Sequence, residues 1–571
     1  ISMRRDGRSF GELVRLEIGP VAGTIALIGA FAIMVIILAV LSLIVVRALA
    51  DSPWGMFTVA ATVPLAMLMG VYSRWLRPGR VGEVSILGLI GLLLAIVYGQ
   101  SIATSPMAAL FTFSPVQLCW ILIAYGAVAA LLPVWLLLAP RDYLSTFLKI
   151  GAILALAIGI AIMQPELRMP PLTRFIDGSG PVWAGGLFPF LFITIACGAV
   201  SGFHALIASG TTPKLIASED HARFIGYGAM LVESFVAIMA LVAASILDPG
   251  IYFTMNAPAA LIGTSPQSAA AAVSAMGFPI GADIIVQTAR DMGEHSIISR
   301  AGGAPTLAVA MAQIFSHAIG GKAMMAFWYH FAILFEALFI LTAVDAGTRA
   351  GRFMLQDLLG LISPRLKNTQ SLPANALATF LCVGAWGFFL YQGVTDPLGG
   401  VNTLWPLFGI SNQMLAAVAL MLGTVVLFRM KRERMAWIAL VPAAWLVICT
   451  GAAGLLKLCS PDPRIGFIAH AMKFHAAVQR AEVLAPAKSL AEMQRIVVND
   501  VIDACLCLFF LLVVLSILVL AVKACRAALR QPVPSTRETV ATPCSDRPPL
   551  EPQTFSRNRQ RYTSQGGGGC C

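Results

Sequence analysis

The chain of 571 residues is 58% hydrophobic and only 12% charged. Soluble globular proteins contain about 45–50% apolar residues, so this composition excludes that class and indicates a membrane protein. The formal net charge of +11 comes from short Arg and Lys clusters between apolar runs, where the positive-inside rule places them, and we expect no nucleic-acid binding. The eleven cysteines form no Cys-x-x-Cys pair, and we expect neither a metal site nor a cofactor.

Apolar runs of transmembrane length follow one another along the whole chain. A bilayer core of about 30 Å needs about 20 apolar residues per helical crossing. The sequence therefore predicts an all-α, polytopic membrane protein with about twelve transmembrane helices. They are predicted at 22–46, 55–73, 81–98, 116–138, 144–163, 187–208, 226–247, 324–344, 373–392, 404–428, 436–456 and 501–522.

Charge and composition indicate how these runs are organised. Arg4, Arg5 and Arg8 place the start of the chain in the cytoplasm. The end of the chain is rich in Pro, Ser, Thr and Arg, a composition typical of disorder. The predicted organisation is a cytoplasmic start at 1–21, a transmembrane domain at 22–529 with an external loop at 248–323 and an external amphipathic region at 457–500, and a disordered cytoplasmic tail at 530–571.

The segment 304–321 is a further apolar run, and we predict that it is re-entrant. If it crossed the membrane fully, the basic cluster of Arg349, Arg352, Arg365 and Lys367 would lie outside the cell, against the positive-inside rule. Re-entrant backbone is tolerated where it is buried in protein or lines a wet cavity. Gly302 and Gly303, just ahead of the segment, are a natural place for unwound backbone.

The run at 187–214 combines transmembrane length with small and polar residues in its second half. On a helix, Cys197, Ser201, His204 and Ala208 would share one face, with Gly198 and Gly202 beside them. One interpretation is a helix that lines a substrate site. The other is that Gly198 and Gly202 allow a neighbouring helix to approach and that a packed neighbour satisfies His204.

Broken helices offer a way to bind an anionic substrate, because a free helix N-terminus supplies positive charge without a buried cation. The candidate breaks lie at Gly198 and Gly202 and at Gly302 and Gly303. The candidate substrate-binding residues are Gly198, Ser201, Gly202, His204, Gly302, Gly303, Asn412 and Gln413. The segment from Ser209 to Lys214 either forms a polar cytoplasmic mouth, with Ser209, Thr211, Thr212 and Lys214, or is only a capped helix end.

Ionisable residues inside apolar runs are the candidates for proton coupling. Each costs about 2.5–3.5 kcal/mol at the centre of a bilayer on insertion scales, so such residues are rarely idle. Glu233, His330 and Glu336 qualify, although a buried ion pair or a hydrogen-bonded contact between helices would also account for them. Asp345, Asp142 and Lys149 lie near helix ends, where we expect their side chains to reach the membrane surface.

Enzyme motifs are not found in this sequence. It contains no His-Glu-x-x-His and no Gly-x-Ser-x-Gly, and Gly320-Gly321-Lys322 lacks the remaining residues of a phosphate-binding loop. An intramembrane hydrolase that uses Ser201 and His204 remains a remote alternative. We do not expect the protein to be an enzyme.

Several long runs resemble the carbon starvation protein A family of bacterial membrane proteins. The resemblance covers residues 4 to about 530. It is carried by ACGAVSGFHALIASGTTPK at 196–214, FIGYGAMLVESF at 224–235, FWYHFAILFEALF at 327–339 and DPLGGVNTLWPLFGISNQ at 396–413. Shorter matches are RRDGRS at 4–9, LLAPRDYLSTF at 137–147 and IISRAGGAPT at 297–306.

The resemblance implies a multi-pass secondary transporter of the bacterial inner membrane. It implies uptake of peptides or pyruvate during carbon starvation, by symport with protons, and a fold with inverted repeats. The expected partners are then a small-molecule substrate, a proton and the lipid bilayer. A membrane nutrient sensor with a transporter fold is the alternative, and the sequence does not choose between peptide and pyruvate.

Relatives in that family carry an additional N-terminal membrane region that includes a Gly-rich segment, and the resemblance begins after it. In transporters built from broken helices the substrate lies between two such segments, one from each repeat. We therefore expect the chain as given to insert into a membrane but to be inactive without that region.

Overall fold

The computed structural model describes residues 1–77, 80–133, 135–195, 198, 200–210, 212–214, 216–368, 371–398 and 401–530. All regular secondary structure in these residues is helical. The first half of the chain contains α1 (Phe10–Glu17), α2 (Pro20–Leu49), α3 (Pro53–Val71), α4 (Val81–Ala103), α5 (Ala108–Phe111), α6 (Pro115–Leu131), α7 (Leu138–Met163), α8 (Leu187–Thr194), α9 (Gly202–Gly210) and α10 (Asp220–Ile246).

The second half begins with short helices and continues with long ones. It contains α11 (Pro249–Asn256), α12 (Ala259–Ile262), α13 (Pro266–Ala275), α14 (Ala282–Asp291), α15 (Gly303–Ala318), α16 (Met325–Gly360), α17 (Leu372–Thr395), α18 (Val401–Arg429), α19 (Trp437–Cys459), α20 (Phe467–Gln479) and α21 (Leu490–Arg530).

Ten of the described helices are long and apolar enough to cross a membrane: α2, α3, α4, α7, α10, α16, α17, α18, α19 and α21. The chain is therefore an all-α, multi-pass membrane protein, as the sequence predicts. Two of the twelve predicted crossings differ from the prediction. The run at 116–138 forms α6, which ends at Leu131 because Pro133 holds Leu132 in an extended conformation. The run at 187–208 is interrupted rather than continuous.

Helix α2 lies at the centre of the bundle. It is 30 residues long with Pro20 in its first turn, its apolar residues lie on every side, and 72% of its most apolar stretch is buried. A helix that is apolar all round belongs in an interior. It packs against α16, α17, α18 and α21. Helix α10 is the opposite case, since only 11% of its window is buried.

The segment predicted to be re-entrant forms α15, a buried helix of 16 residues. It packs mainly against α16, α7 and α10. Gly302 precedes it with a φ of 132°, a conformation that favours glycine. The Gly302 N–H donates to Asn256 Oδ1 at 3.2 Å. The helix is not among the ten that are long enough to cross, and its re-entrant course stays a prediction.

Several predicted helices are longer than the apolar runs that indicate them. Helix α16 continues to Gly360, so Arg349 and Arg352 lie within a helix and not in a loop. Arg349 donates to the carbonyl oxygens of Ala129 and Leu132, and Arg352 donates to that of Ala130. The last carbonyls of a helix lack partners in their own helix, and positive charge there is favourable. These two arginines therefore cap the C-terminal end of α6.

The external region predicted at 457–500 is divided between three helices. Its first residues end α19, α20 forms its middle, and its last residues begin α21, which starts at Leu490 and not near residue 501. The described part of the C-terminal segment ends with α21 at Arg530. The predicted disordered tail lies outside the described residues, apart from Arg530 itself.

Cysteine labelling tests the predicted topology of the loop after α16. Ile362 is 82% exposed, and Val483, in the predicted external region, is 48% exposed. In a background with the other cysteines replaced by serine, Ile362→Cys is expected to react with an impermeant maleimide only after the cells are permeabilised. Val483→Cys is the matched control that reacts in intact cells. Labelling of Ile362→Cys from outside would show that the segment at 304–321 crosses.

Candidate functional site

The run at 187–214 is not one continuous helix, because Ile195, Val200 and Ser201 are not helical, and we call this interruption the break. Residues 196, 197 and 199 lie outside the described residues. Helix α8 ends at Thr194 and α9 begins at Gly202. Ser201 precedes α9 and is not helical. The face predicted for Cys197, Ser201, His204 and Ala208 on one continuous helix therefore does not form, and Cys197 lies outside the described residues. A break of this kind leaves backbone donors and acceptors that need other partners.

Helix α18 supplies partners on the α9 side of the break. The side-chain oxygen of Asn412, which is fully buried, accepts from the Phe203 N–H at 3.0 Å and lies 3.4 Å from Ser201 Oγ. Asn412 therefore acts as an N-terminal cap for α9, delivered from another helix. A Cβ on Gly202 would overlap the Asn412 carbonyl oxygen and the Leu415 side chain, so only glycine allows this approach. Ser201, Gly202 and Asn412, three predicted site residues, come together here.

Helix α18 also holds the end of α8. The Gln413 side-chain nitrogen donates to the Phe192 carbonyl at 2.5 Å, and a Cβ on Gly409 would meet the Ile193 backbone. Gln413 Oε1 is buried and has no hydrogen-bond partner among the described residues. The negative end of α8 and the positive end of α9 thus meet the same turn of α18, beside an unused acceptor. Such an arrangement suits a ligand that carries both donors and an anionic group.

His204 and Glu233 form a second part of this site. His204 Nε2 lies 3.5 Å from Glu233 Oε2, and their side chains are 56% and 39% exposed. Glu233 therefore has a partner on α9, which is the contact between helices that the sequence analysis leaves open as the alternative to proton coupling. Gly198 lies on the same side, 3.6 Å from Ala237 of α10 when a Cβ is built on it. The pair links α9 to the least buried of the spanning helices.

The other candidates for proton coupling lie apart from the break. His330 is buried and stacks on Trp54 with ring centroids 4.0 Å apart. Glu336 is partly exposed on the same helix, about 240° further round the axis. Each therefore faces different neighbours, and the fold does not bring Glu233, His330 and Glu336 into one site.

The second predicted break lies at the start of α15. Gly302 and Gly303 adjoin Asn256, whose side-chain nitrogen also donates to Thr306 Oγ1 at 2.9 Å. Helix α15 packs mainly against α16, α7 and α10. Their role in binding stays a prediction.

The predicted cytoplasmic mouth resembles a capped helix end more than an open polar rim. Ser209 is buried and its hydroxyl donates to the Ala205 carbonyl at 2.8 Å, while Ser2 Oγ donates to the Ser209 carbonyl at 2.7 Å. Ser209 therefore does not offer its hydroxyl to a ligand. Thr212 begins a short 3₁₀ helix. Thr211 and the side chain of Lys214 lie outside the described residues.

A buried ion pair was missed by the sequence analysis. Asp345 Oδ2 lies 3.3 Å from Arg141 Nη1 and accepts from the Tyr125 hydroxyl at 2.7 Å, and Arg141 also donates to that hydroxyl. Both charged side chains are at most 2% exposed. The expectation that Asp345 reaches the membrane surface is therefore wrong. Lys149 likewise donates to Thr342 Oγ1 at 3.0 Å. These contacts join α6, α7 and α16.

The fold and the site define a polytopic α-helical membrane protein with a discontinuous helix held against a buried polar turn. The chain belongs to the family described as carbon starvation protein CstA, whose sequence profile matches residues 1–453.

Curated relatives support the same assignment. The chain is 63% identical over 550 residues to the peptide transporter CstA of Escherichia coli strain K12. That alignment covers 95% of this chain and 78% of the relative. The chain is 57% identical over 567 residues to the pyruvate/proton symporter BtsT of the same organism, with 95% and 79% covered. It is 39% identical over 454 residues to the peptide transporter CstA of Bacillus subtilis strain 168, with 79% and 72% covered.

The Arg141–Asp345 pair generates a stability prediction. Asp345→Ala is expected to lower the free energy of unfolding by about 3–5 kcal/mol, because it leaves a buried guanidinium without its counter-charge. The double variant Arg141→Met/Asp345→Leu is expected to recover most of that loss, because it removes both buried charges. Unfolding of the purified proteins in detergent measures both changes.

Asp220→Ala, an exposed site at the start of α10, is the control and is expected to change the free energy of unfolding by less than about 0.5 kcal/mol. An Asp345→Ala variant as stable as the parent would show that the pair makes no net contribution to the fold.

Proposed function

We propose that this chain is a proton-coupled secondary transporter that imports a peptide or a small carboxylate such as pyruvate, and that its substrate binds at the break between α8 and α9. The observation that carries the proposal is that Asn412 and Gln413 form hydrogen bonds with the backbone of α9 and α8, respectively. Discontinuous helices whose N-termini face an anionic group are the usual substrate sites of secondary transporters.

The names of the relatives supply the two substrate classes. A peptide transporter and a pyruvate/proton symporter are 63% and 57% identical to the chain. A peptide C-terminus and pyruvate both present a carboxylate, and the N-terminal end of α9 suits that group. The peptide would add donors for the unused acceptor at Gln413 Oε1. The proposed substrate contacts are Ser201, Gly202, Asn412 and Gln413.

The remaining predicted residues have proposed roles beside that contact. Gly198 and His204 border the break on the α10 side, and Gly302 and Gly303 would form a second broken entry. Glu233 carries the coupling proton, and its protonation releases His204 and separates α9 from α10. The transporter works in the bacterial inner membrane with the C-terminus of the chain in the cytoplasm, and it serves growth under carbon starvation.

Transport by the purified protein tests the proposal. Proteoliposomes are given an inward proton gradient or an inward sodium gradient, with labelled pyruvate and a labelled dipeptide in parallel. The chain extended upstream to the nearest Met-initiated frame is the parent for this assay and for the variants below, and it is expected to accumulate substrate when driven by the proton gradient. The two labels identify the substrate. The same assay on the unextended chain tests the expectation that it is inactive alone. Binding of either label without accumulation would favour a nutrient sensor with a transporter fold.

Glu233→Gln is expected to abolish accumulation driven by a proton gradient and to leave counterflow exchange of the same substrate intact. The amide keeps the size of the side chain, but unlike the carboxylate it cannot bind and release a proton. Glu219→Gln, whose parent side chain forms an exposed pair with Arg4, is the control. If Glu233→Gln concentrates substrate as well as the parent does, Glu233 has only a structural role.

Gly202→Ala is expected to raise the KM for substrate about tenfold or more. The added methyl group has no room against Asn412 and Leu415, and overpacking of this kind costs about 1–3 kcal/mol, where 1.4 kcal/mol corresponds to a factor of ten. Gly210→Ala, at the other end of α9 with open space around it, is the matched control. Equal KM values for both variants would place the substrate elsewhere.

A further inference from the structure

A second group of buried charges lies where α19 ends and α21 begins. It contains Asp396, Lys457, Asp500 and Asp503, each at most 6% exposed. Arg47, at the end of α2, is the neighbouring cation of Asp396. We refer to these five residues as the Lys457 cluster. None of them is among the residues proposed above to bind substrate or carry protons.

Asp500 and Asp503 are the centre of the cluster. Asp500 Oδ2 lies 2.6 Å from His470 Nδ1 of α20. Asp503 is 3% exposed, and its Oδ2 has no hydrogen-bond partner among the described residues. The ionisable groups around the two carboxylates are Asp396, Lys457, His470, Cys459 and Cys507, with Arg47 beyond Asp396.

The charges of the Lys457 cluster do not balance. Three carboxylates, Asp396, Asp500 and Asp503, face two permanent cations, Arg47 and Lys457. An uncompensated buried carboxylate costs several kcal/mol. One additional proton restores neutrality, and two groups have room for it: the His470 ring beside Asp500 and the unpartnered Oδ2 of Asp503.

We propose that the Lys457 cluster is a proton-binding site, in which Asp503, with Asp500 beside it, takes up one exchangeable proton from the side of the membrane where α20 lies. This inference rests on the proposed function and adds to it a second proton site, remote from Glu233. The chemistry is a simple protonation: the carboxylate oxygen of Asp503 gains a proton from solvent, and the His470–Asp500 pair provides the path from the partly exposed imidazole.

Lys457 connects this site to the break. Its Nζ lies 5.4 Å from the ring centroids of Phe190 and Phe467 and 5.9 Å from that of Trp183. Phe190 belongs to α8 and Phe467 to α20, so the ammonium group lies between a half-helix and the helix that covers the cluster. Aromatic faces attract a cation by about 0.5–2 kcal/mol.

Proton uptake therefore changes what holds Lys457. When Asp503 is ionised, the carboxylates of α21 attract the ammonium group. When Asp503 is protonated, that attraction weakens, and the ammonium group of Lys457 stays against the aromatic rings on α8 and α20. Phe190 lies two residues before Phe192, whose carbonyl accepts from Gln413 at the break. The proton thereby fixes α8 against α20 and sets the position of one wall of the substrate site.

The first test is the dependence of uptake on external pH. Parent and variant proteoliposomes, with a fixed internal pH, take up labelled pyruvate and dipeptide at external pH values between about 5 and 8. In the Glu233→Gln background, which lacks the coupling proton, counterflow exchange is expected to depend on external pH while Asp503 is present. Asp503→Asn imitates the protonated carboxyl, so in that background it is expected to keep the exchange and to remove this pH dependence. Glu492→Gln, a partly exposed site at the start of the same helix, is expected to keep the parent profile. An Asp503→Asn variant with the parent pH profile would overturn the proposal.

His470→Leu is a second variant at a less buried position, with 19% of the parent side chain exposed. Leucine has no hydrogen-bond donor for Asp500, so the carboxylates hold the proton more tightly and the midpoint of the pH profile is expected to rise by about one unit. An unchanged midpoint would exclude the His470–Asp500–Asp503 path. This variant decides the question if Asp503→Asn is not inserted.

A third measurement needs no transport. The fluorescence of Trp183 is obtained as the difference between the parent and Trp183→Phe, and it reports on the ammonium group beside that ring. It is expected to titrate with pH in the parent and to stay constant in the Asp503→Asn background. If the parent transports neither label, the proposed function fails, and this titration still decides whether the Lys457 cluster binds a proton. A pH-independent difference in the parent would overturn the proton site.

Discussion

The fold depends on one contact, the placement of Asn412 and Gln413 of α18 against the broken helix. Backbone groups inside a membrane have no water to bind, so an interruption of a helix at membrane depth is stable only where protein satisfies it. Asn412 Oδ1 accepts a hydrogen bond from the Phe203 N–H, and the Gln413 side-chain nitrogen donates one to the Phe192 carbonyl. Gly202 and Gly409 make the close approach of the backbones sterically allowed. The two half-helices, and with them the orientation of His204, follow from this contact.

Buried charges elsewhere in the bundle obey the same requirement. Arg349 and Arg352 satisfy the carbonyls at the end of α6, and Arg141 neutralises Asp345 between α7 and α16. Each cation is placed where a helix end or a carboxylate offers negative charge. The Lys457 cluster differs, because its three carboxylates outnumber its two permanent cations and His470 beside Asp500 is a titratable group. That excess separates a site suited to proton exchange from contacts that only hold helices together.

The sequence predicts the fold class well, because an apolar run such as that of α2 has no stable alternative to a buried spanning helix. It also points to the residues near the break, since the small residues Gly198 and Gly202 and the polar residues Asn412 and Gln413 stand out within apolar runs. It does not predict which of them meet. The partner of Asp345 is Arg141, 204 positions away in the sequence. Periodicity within one helix does not indicate a contact over such a separation. The pairing of Glu233 with His204 was missed because the two residues lie on different helices, and the spacing of residues along one helix does not indicate such a contact.

The short length of α6 has a consequence for the surrounding lipid. Its 17 residues span about 26 Å, less than the hydrocarbon thickness of about 30 Å in a typical bilayer. The guanidinium groups of Arg349 and Arg352 lie at its end. A short helix is accommodated by local thinning of the bilayer, at a fraction of a kcal/mol per Å of mismatch. The thickness of the host membrane, set by acyl chain length, is thereby coupled to the packing of α6 against α16 and α17.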